Sequence, residues 1–168
     1  MVKHIYITNG VGGCGKDTFA NFLNDFIPVY KYSSIDTVKE IARFCHWDGG
    51  KTEKDRKFLS DLKLLLTEYN DLPFRDIKGH AELFLYWMNT KDVMLIDIRE
   101  PAEIERAKRE LGAETILIVN PNIPHITSNM ADKNVYEYEY DYKIMNDGTL
   151  EDFRKTVEQF ARDRGLIQ

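Results

Sequence analysis

Cysteine is scarce in this chain, with two residues in 168, Cys14 and Cys45. Two thiols cannot build a disulfide framework, and a reducing cytoplasm is the expected setting. Long apolar runs are also missing. None approaches the roughly 20 residues that span a bilayer, so no membrane partner is expected. Positive charge is in deficit: 23 Lys and Arg face 28 Asp and Glu, a net charge of −5. That balance gives no basic field for a nucleic-acid backbone, so no nucleic-acid partner is expected either. No repeat, low-complexity stretch or linker interrupts the sequence. One domain over residues 1–168 is expected, large enough to bury a core without staples. The 43% hydrophobic and 30% charged content is that of a soluble globular protein. The first nine residues read as a strand opening into a glycine-rich turn, which argues against a cleaved leader. Nothing in the composition fixes the oligomeric state.

What the chain does have is Thr8-Asn9-Gly10-Val11-Gly12-Gly13-Cys14-Gly15-Lys16-Asp17-Thr18 after the apolar run Ile5-Tyr6-Ile7. A strand, a glycine-rich turn and a helix in that order are the context in which Gly-x4-Gly-Lys means a phosphate-binding P-loop. The glycines let successive backbone N–H groups curl inward toward an anion. Lys16 adds a positive charge where the helix dipole already favours phosphate. A nucleoside triphosphate and Mg²⁺ are therefore the expected cofactors. Gly10, Val11, Gly12, Gly13, Cys14, Gly15, Lys16, Asp17 and Thr18 are the expected contacts. The usual motif ends in Ser or Thr after the Lys. Here that position holds Asp17, with Thr18 one further on.

Alternating strands and helices follow. Val29–Tyr32 reads as a second strand ending at Ser33-Ser34, with Ser34 as cap of the next helix. Helices are expected from there to Cys45, from about Glu53 to Tyr69, and on to about Trp87. The second of these carries Phe58, Leu62, Leu65, Leu66 and Tyr69 on one face. Asp92–Asp97 and Thr115–Val119 are nearly continuous apolar runs, typical of strands buried on both faces. A helix over Glu100–Leu111 stops at Gly112. The alternation Tyr136, Tyr138, Tyr140, Tyr142 suggests a strand with one aromatic face, and Tyr142–Met145 a last core strand. Thr149 caps the final helix. The whole predicts an α/β fold with a parallel sheet covered on both faces. The segment 34–91 forms a helical insertion over one end of the sheet.

Several residues stand where chemistry at a bound triphosphate would need them. Asp17 is a hard oxygen ligand able to replace the missing hydroxyl on Mg²⁺; its ordinary role is that of an acid in a helix's first turn. Asp97 ends a strand where P-loop enzymes commonly place a second acid toward the metal. Arg99, two residues on, has the planar fork that suits a phosphate, or else a salt bridge to Glu103. Asp36, Lys39 and Arg56 in the helical insertion are candidates for an acceptor pocket, though each also suits a solvated helix face. The helix N-terminus beside Cys14 is expected to lower its thiol pKa, if the residue is more than a small side chain that fits the loop.

Three stretches together make the chain similar to the phage-type deoxynucleoside monophosphate kinases of the P-loop nucleotide kinase superfamily. They are Gly15-Lys16-Asp17-Thr18; Asp97-Ile98-Arg99-Glu100-Pro101-Ala102-Glu103-Ile104 with Gly112 downstream; and Asp141 to Leu150, with its Asp-x-x-Ile-x-Asn-x-Gly spacing. The resemblance implies a three-layer P-loop kinase fold with a five-stranded parallel sheet, an acceptor-binding helical insertion and a short lid at about 120–135. It implies ATP on Gly10–Thr18 with Asn146 and Gly148 near the adenine. Lys16, Asp97 and Arg99 would be catalytic, Asp17 and Asp97 would face the metal, and Asp36, Lys39, Arg56 and Arg99 the acceptor. The acceptor would be a nucleoside or deoxynucleoside monophosphate. A phosphorylated metabolite, as in phosphomevalonate kinase, is the alternative acceptor, and ATP binding with little transfer is a third reading. The chain departs from the pattern in its lid: no arginine occurs between Asn120 and Lys133.

Overall fold

The computed structural model describes residues 2–123 and 134–168. Five strands form one parallel sheet in the order β2-β3-β1-β4-β5. They are β1 (His4–Asn9), β2 (Val29–Ser33), β3 (Val93–Asp97), β4 (Glu114–Val119) and β5 (Tyr142–Met145). Six α-helices accompany them among the described residues: α1 (Lys16–Phe26), α2 (Asp36–Phe44), α3 (Glu53–Asn70), α4 (Leu72–Tyr86), α5 (Pro101–Leu111) and α6 (Leu150–Asp163). The expected α/β architecture with its five-stranded parallel sheet is the one observed.

The sheet is apolar on both faces because both are covered. Tyr6, Val93 and Leu95 point to one side, where Phe19 and Leu23 of α1 meet Phe153, Val157 and Phe160 of α6. Ile5, Ile7, Met94 and Ile96 point to the other, against Phe74, Ile77 and Phe84 of α4 and Ile104 and Ala107 of α5. This two-sided burial explains why β3 and β4 are nearly unbroken apolar runs. The capping expectation for Thr149 is met by a full capping box: its hydroxyl accepts the Asp152 N–H, and the Asp152 carboxylate accepts the Thr149 N–H.

Three local expectations fail for identifiable reasons. The tyrosine alternation is not a strand. Asn134–Tyr136 is a short 3-10 turn and β5 begins only at Tyr142. Tyr138 and Tyr140 stack edge to face at 4.9 Å, and their hydroxyls bond to Glu105 and Asn9. Side-chain partners on other elements, not a ladder, hold this stretch. Ser34 does not cap α2. Asp36 does the local work, its carboxylate accepting the Ser33 N–H at 3.0 Å, while Ser34 Oγ accepts from Lys63 at 3.3 Å. Finally, α3 forms where expected but buries no residue. Leu65 and Tyr69 of its supposed inner face are 62% and 81% exposed.

α4 joins the core, and polar ties take the place of buried contacts for α3. Arg106 of α5 grips Asp71, at the α3–α4 corner, through two bonds of 2.9 and 2.6 Å. Its guanidinium lies 3.7 Å from the Phe74 ring centre. Lys63 of α3 reaches Glu103 of α5 at 2.7 Å. These ties hold the helices beside the carboxyl end of β2.

Core and periphery therefore predict opposite mutational costs. Ile96→Ala, at a fully buried site, should lower unfolding free energy by about 2–5 kcal/mol. Leu65→Ala should stay within about 0.5 kcal/mol. Denaturant unfolding of both variants checks this, and equal costs would contradict the packing described.

Candidate active site

β1 ends at Asn9, and the chain turns through Gly10–Gly15 before entering α1 at Lys16. The turn has no spare room at Gly10 or Gly15. Gly10 has φ +152°, and a Cβ there would lie 2.5 Å from the Cys14 sulfur and 2.6 Å from the Ile118 carbonyl oxygen. Gly15, the N-cap of α1, is left-handed at φ 106°, and its Cβ would meet Asn146 Nδ2 at 2.6 Å. Only glycine fits both demands. Gly12 and Gly13 are exposed on the outside of the turn. The first N–H groups of α1 lack partners within the helix, the arrangement that receives anions. Lys16 Nζ donates to the Gly10 carbonyl at 2.7 Å, so its ammonium lies folded across the loop.

Two asparagines brace this backbone. The fully buried Asn9 accepts the Gly10 N–H at 2.8 Å through Oδ1. Its Nδ2 donates to the Arg99 carbonyl at 3.3 Å and to the Tyr140 hydroxyl at 2.8 Å. One side chain thus ties the loop, the segment after β3 and the segment before β5. Asn146, one residue past β5, donates to the Cys14 carbonyl at 3.0 Å; its amide is engaged by the loop's own backbone. Gly148 is exposed just before the α6 cap, and a Cβ there would lie 2.9 Å from the Asp152 carboxylate.

Cys14 is fully buried beneath the loop. Burial pushes its thiol pKa up, against the opposing charges of Lys16 and Arg99. The expected activation by the helix N-terminus is therefore overruled by desolvation, and the residue is a neutral space-filler. The same balance puts the charges of Lys16, Arg99 and Asp97 within electrostatic reach of one atom.

The two acids expected at the metal converge on one cation. Strand register sets Asp97 level with Thr8 on β1 and Ser33 on β2. Thr8 Oγ1 donates to Asp97 Oδ1 at 2.5 Å. Lys31, from β2, pairs with Asp17 Oδ1 in the first turn of α1 and lies 3.3 Å from Asp97 Oδ2. The Lys31 hydrogen bond, foremost, holds the Asp17 carboxyl below its usual range; burial opposes this and Lys16 and Lys39 add to it. Burial acts to lower the Lys31 pKa, but Asp17 and Asp97 outweigh it and raise it. Two carboxylates already sharing one positive charge are a fitting donor pair for a divalent cation that takes its remaining ligands from phosphate and water. Among the described residues no group of three or more His, Cys, Asp or Glu side chains forms a fuller cage.

The acceptor candidates separate. Arg99 is half-buried beside the loop, and Glu103, its alternative partner by spacing, is engaged by Lys63. Lys39 acts on Asp17 through its charge and lies 3.9 Å from Asp36. Asp36 itself serves the β2–α2 turn. Arg56 is exposed in the first turn of α3, and among the described residues no hydrogen bond or ion pair ties it to the loop. Of the expected lid, 120–135, only its ends are described; Lys133 and His125 lie outside the described residues. Ile123, at its start, approaches the Cβ position of Gly13 to 3.4 Å.

Sequence reasoning missed Asn9 and Lys31. A lone lysine within the run Val29–Tyr32, on the face opposite the two tyrosines, was the available signal for Lys31. For Asn9 the signal was an asparagine immediately before the glycine turn.

No protein-family model matches the chain, and no curated protein matches it. Solved structures do. Dephospho-CoA kinase from Campylobacter jejuni is similar at 18% identity and TM-score 0.51, over 96% of this chain and 97% of that one. The tunicamycin resistance protein of Deinococcus radiodurans is similar at 15% identity and TM-score 0.55, over 99% and 97%. Shikimate kinase from Aquifex aeolicus is similar at 14% identity and TM-score 0.50, over 96% and 98%. At such identities the likeness is one of fold, and the fold is that of P-loop kinases. The phage-type family likeness rests on the sequence motifs alone.

The loop's geometry predicts a contrast between neighbouring glycines. Gly10→Ala should cost about 1–3 kcal/mol, because the backbone carbonyl of Ile118 must move. Gly12→Ala, where a Cβ meets nothing within 4 Å, should cost less than about 0.5 kcal/mol. Thermal or denaturant unfolding distinguishes them; a harmless Gly10→Ala would refute the tight turn.

Proposed function

We propose that this chain transfers the γ-phosphoryl group of ATP to a small phosphorylated acceptor, a nucleoside or deoxynucleoside monophosphate. The observation that carries the reading is the glycine turn with Lys16 folded across it, beside Asp17 and Asp97 at the carboxyl ends of parallel strands. Ligands of open α/β sheets bind at that end. The motif likeness at Asp97–Ile104 and Asp141–Leu150 favours a nucleotide acceptor.

In this reading the loop's N–H groups and Lys16 hold the β- and γ-phosphates. Asp17 and Asp97 would hold Mg²⁺, which would supply positive charge against the phosphates. Arg99 and Lys39 receive the acceptor's phosphate, and Asn9 fixes the backbone from which Arg99 projects. An oxygen of the acceptor phosphate attacks the γ-phosphorus in line while the bond to the β–γ bridging oxygen breaks, releasing ADP. That oxygen is anionic near pH 7, so no general base is required. Positioning and charge neutralisation supply the rate. Asn146 supports the loop from below, with Gly148 beside the adenine. The helices over 34–91 enclose the acceptor. We place the enzyme in the cytoplasm.

A second reading has its own support. The neighbours' names include a shikimate kinase and a dephospho-CoA kinase, so this fold also serves acceptors that are not nucleoside monophosphates. The arginine-free stretch between Asn120 and Lys133 supports ATP binding with slow transfer.

A coupled assay for ADP across a panel of nucleoside monophosphates and phosphorylated metabolites tests the proposal. Turnover on a monophosphate is expected, Lys16→Ala should abolish it, and Arg99→Ala should raise the acceptor KM about 10–100-fold through loss of a charge-assisted contact. Turnover only on other phosphates, or none despite ATP binding, would overturn the acceptor assignment. Undiminished activity in Lys16→Ala would overturn the site.

A further inference from the structure

Lys31 is unusual for its position. It lies on an edge strand, level with Leu95 of β3, and a lysine there normally extends into water. Instead its ammonium is drawn in to both carboxylates that the proposed function assigns to the metal. Its side chain is 34% exposed and that of Asp97 19%, whereas Asp17 is 88% exposed. Asp97 therefore has little water to screen its charge, and it must be balanced from within the protein. Thr8 supplies a hydrogen bond to its other oxygen, and Lys31 supplies charge to Oδ2. Lys16 cannot serve both ends, because its ammonium is engaged at the Gly10 carbonyl.

We infer that Lys31 is a positioning residue, the resident counter-ion of the Asp17–Asp97 pair, which holds the two carboxylates together and yields them to the divalent cation when metal and nucleotide enter. The inference rests on the reading of Asp17 and Asp97 as the metal's carboxylates. A single ammonium and a divalent cation cannot both lie between the same two oxygens. Binding of metal alone is therefore opposed by Lys31, and the polyanionic nucleotide shifts the balance by supplying further ligands and taking the released ammonium as a partner. The device makes metal loading dependent on nucleotide, so that the acids do not capture a cation unproductively. It also leaves a free lysine beside the phosphates once the metal is bound, in a chain whose residues 120–133 contain no arginine.

The test uses Mn²⁺ as the probe, titrated into the full chain without nucleotide and followed by electron paramagnetic resonance. Lys31→Met removes the charge and keeps the length. Its Mn²⁺ affinity should exceed wild type by at least about tenfold, as expected when a competing positive charge a few ångströms away is deleted. Adding Asp97→Asn to Lys31→Met should abolish the gain, whereas a lysine that merely stabilises β2 would leave Mn²⁺ affinity unmoved. Unchanged affinity in a folded Lys31→Met protein overturns the inference. Should that variant fail to fold, wild type supplies the reading. The Lys31 ε-methylene resonance, identified by its loss in Lys31→Arg, should shift when Mg²⁺ and a non-hydrolysable ATP analogue are added together. No shift at saturation overturns the exchange. ATP binding measured in parallel separates the two levels: intact ATP binding with unchanged Mn²⁺ affinity defeats only the role of Lys31, while no ATP binding defeats the site itself.

Discussion

Two carboxylates beside a loop shaped for phosphate set the constraint on which the rest of this structure depends. A polyanion approaching Gly10–Lys16 would be repelled by Asp17 and Asp97 unless positive charge stood between them. Part of that charge is the Lys31 ammonium, shared by both acids. The Asp17 carboxyl is held ionised below its usual range chiefly by this contact. One ammonium thus offsets part of the negative charge that the two acids bring to the loop.

The sheet makes this possible by its register. Thr8, Asp97 and Ser33 lie side by side where β1, β3 and β2 end, so the turn after β1 and the acid at the end of β3 open on the same edge. Farther along the sheet, Asp141 secures β5 from outside the strand. Its carboxylate accepts the Thr115 N–H and hydroxyl, both at 2.8 Å, and Lys108 at 2.7 Å. Burial disfavours that charge, but these partners prevail and lower the carboxyl's pKa. With β5 fixed, Asn146 can reach the Cys14 carbonyl and hold the loop from the opposite side. Asn9 and Asn146 act as paired struts, one on each flank of the turn.

Much of this was legible in the sequence, for reasons that can be named. The apolar runs at Val93–Ile96 and Thr115–Val119 exposed the buried strands because both sheet faces are covered. The glycine turn announced itself because a Cβ at Gly10 or Gly15 collides with its surroundings. Thr149 and Asp152 advertised a cap through purely local spacing. Most of the failures involve partners distant in sequence. Tyr138 and Tyr140 alternate like a strand but answer to Glu105 and Asn9. The apolar stripe of α3 promised buried contacts that this helix does not make, since Arg106, Asp71, Lys63 and Glu103 fasten it by charge. Lys31 was read as an ordinary strand residue because only the fold brings residues 17 and 97 to it. For Cys14 the sequence left open a lowered thiol pKa or a small residue that fits the loop, and burial decides for the second.

The central claim is that the turn between β1 and α1 receives the triphosphate of ATP. A crystal structure with a non-hydrolysable ATP analogue and Mn²⁺, the metal located by its anomalous signal, tests it most directly. The β- and γ-phosphates should lie within Gly10–Lys16, with the metal peak beside Asp17 and Asp97. Phosphates bound elsewhere, with the loop unchanged and no metal near either acid, would contradict it.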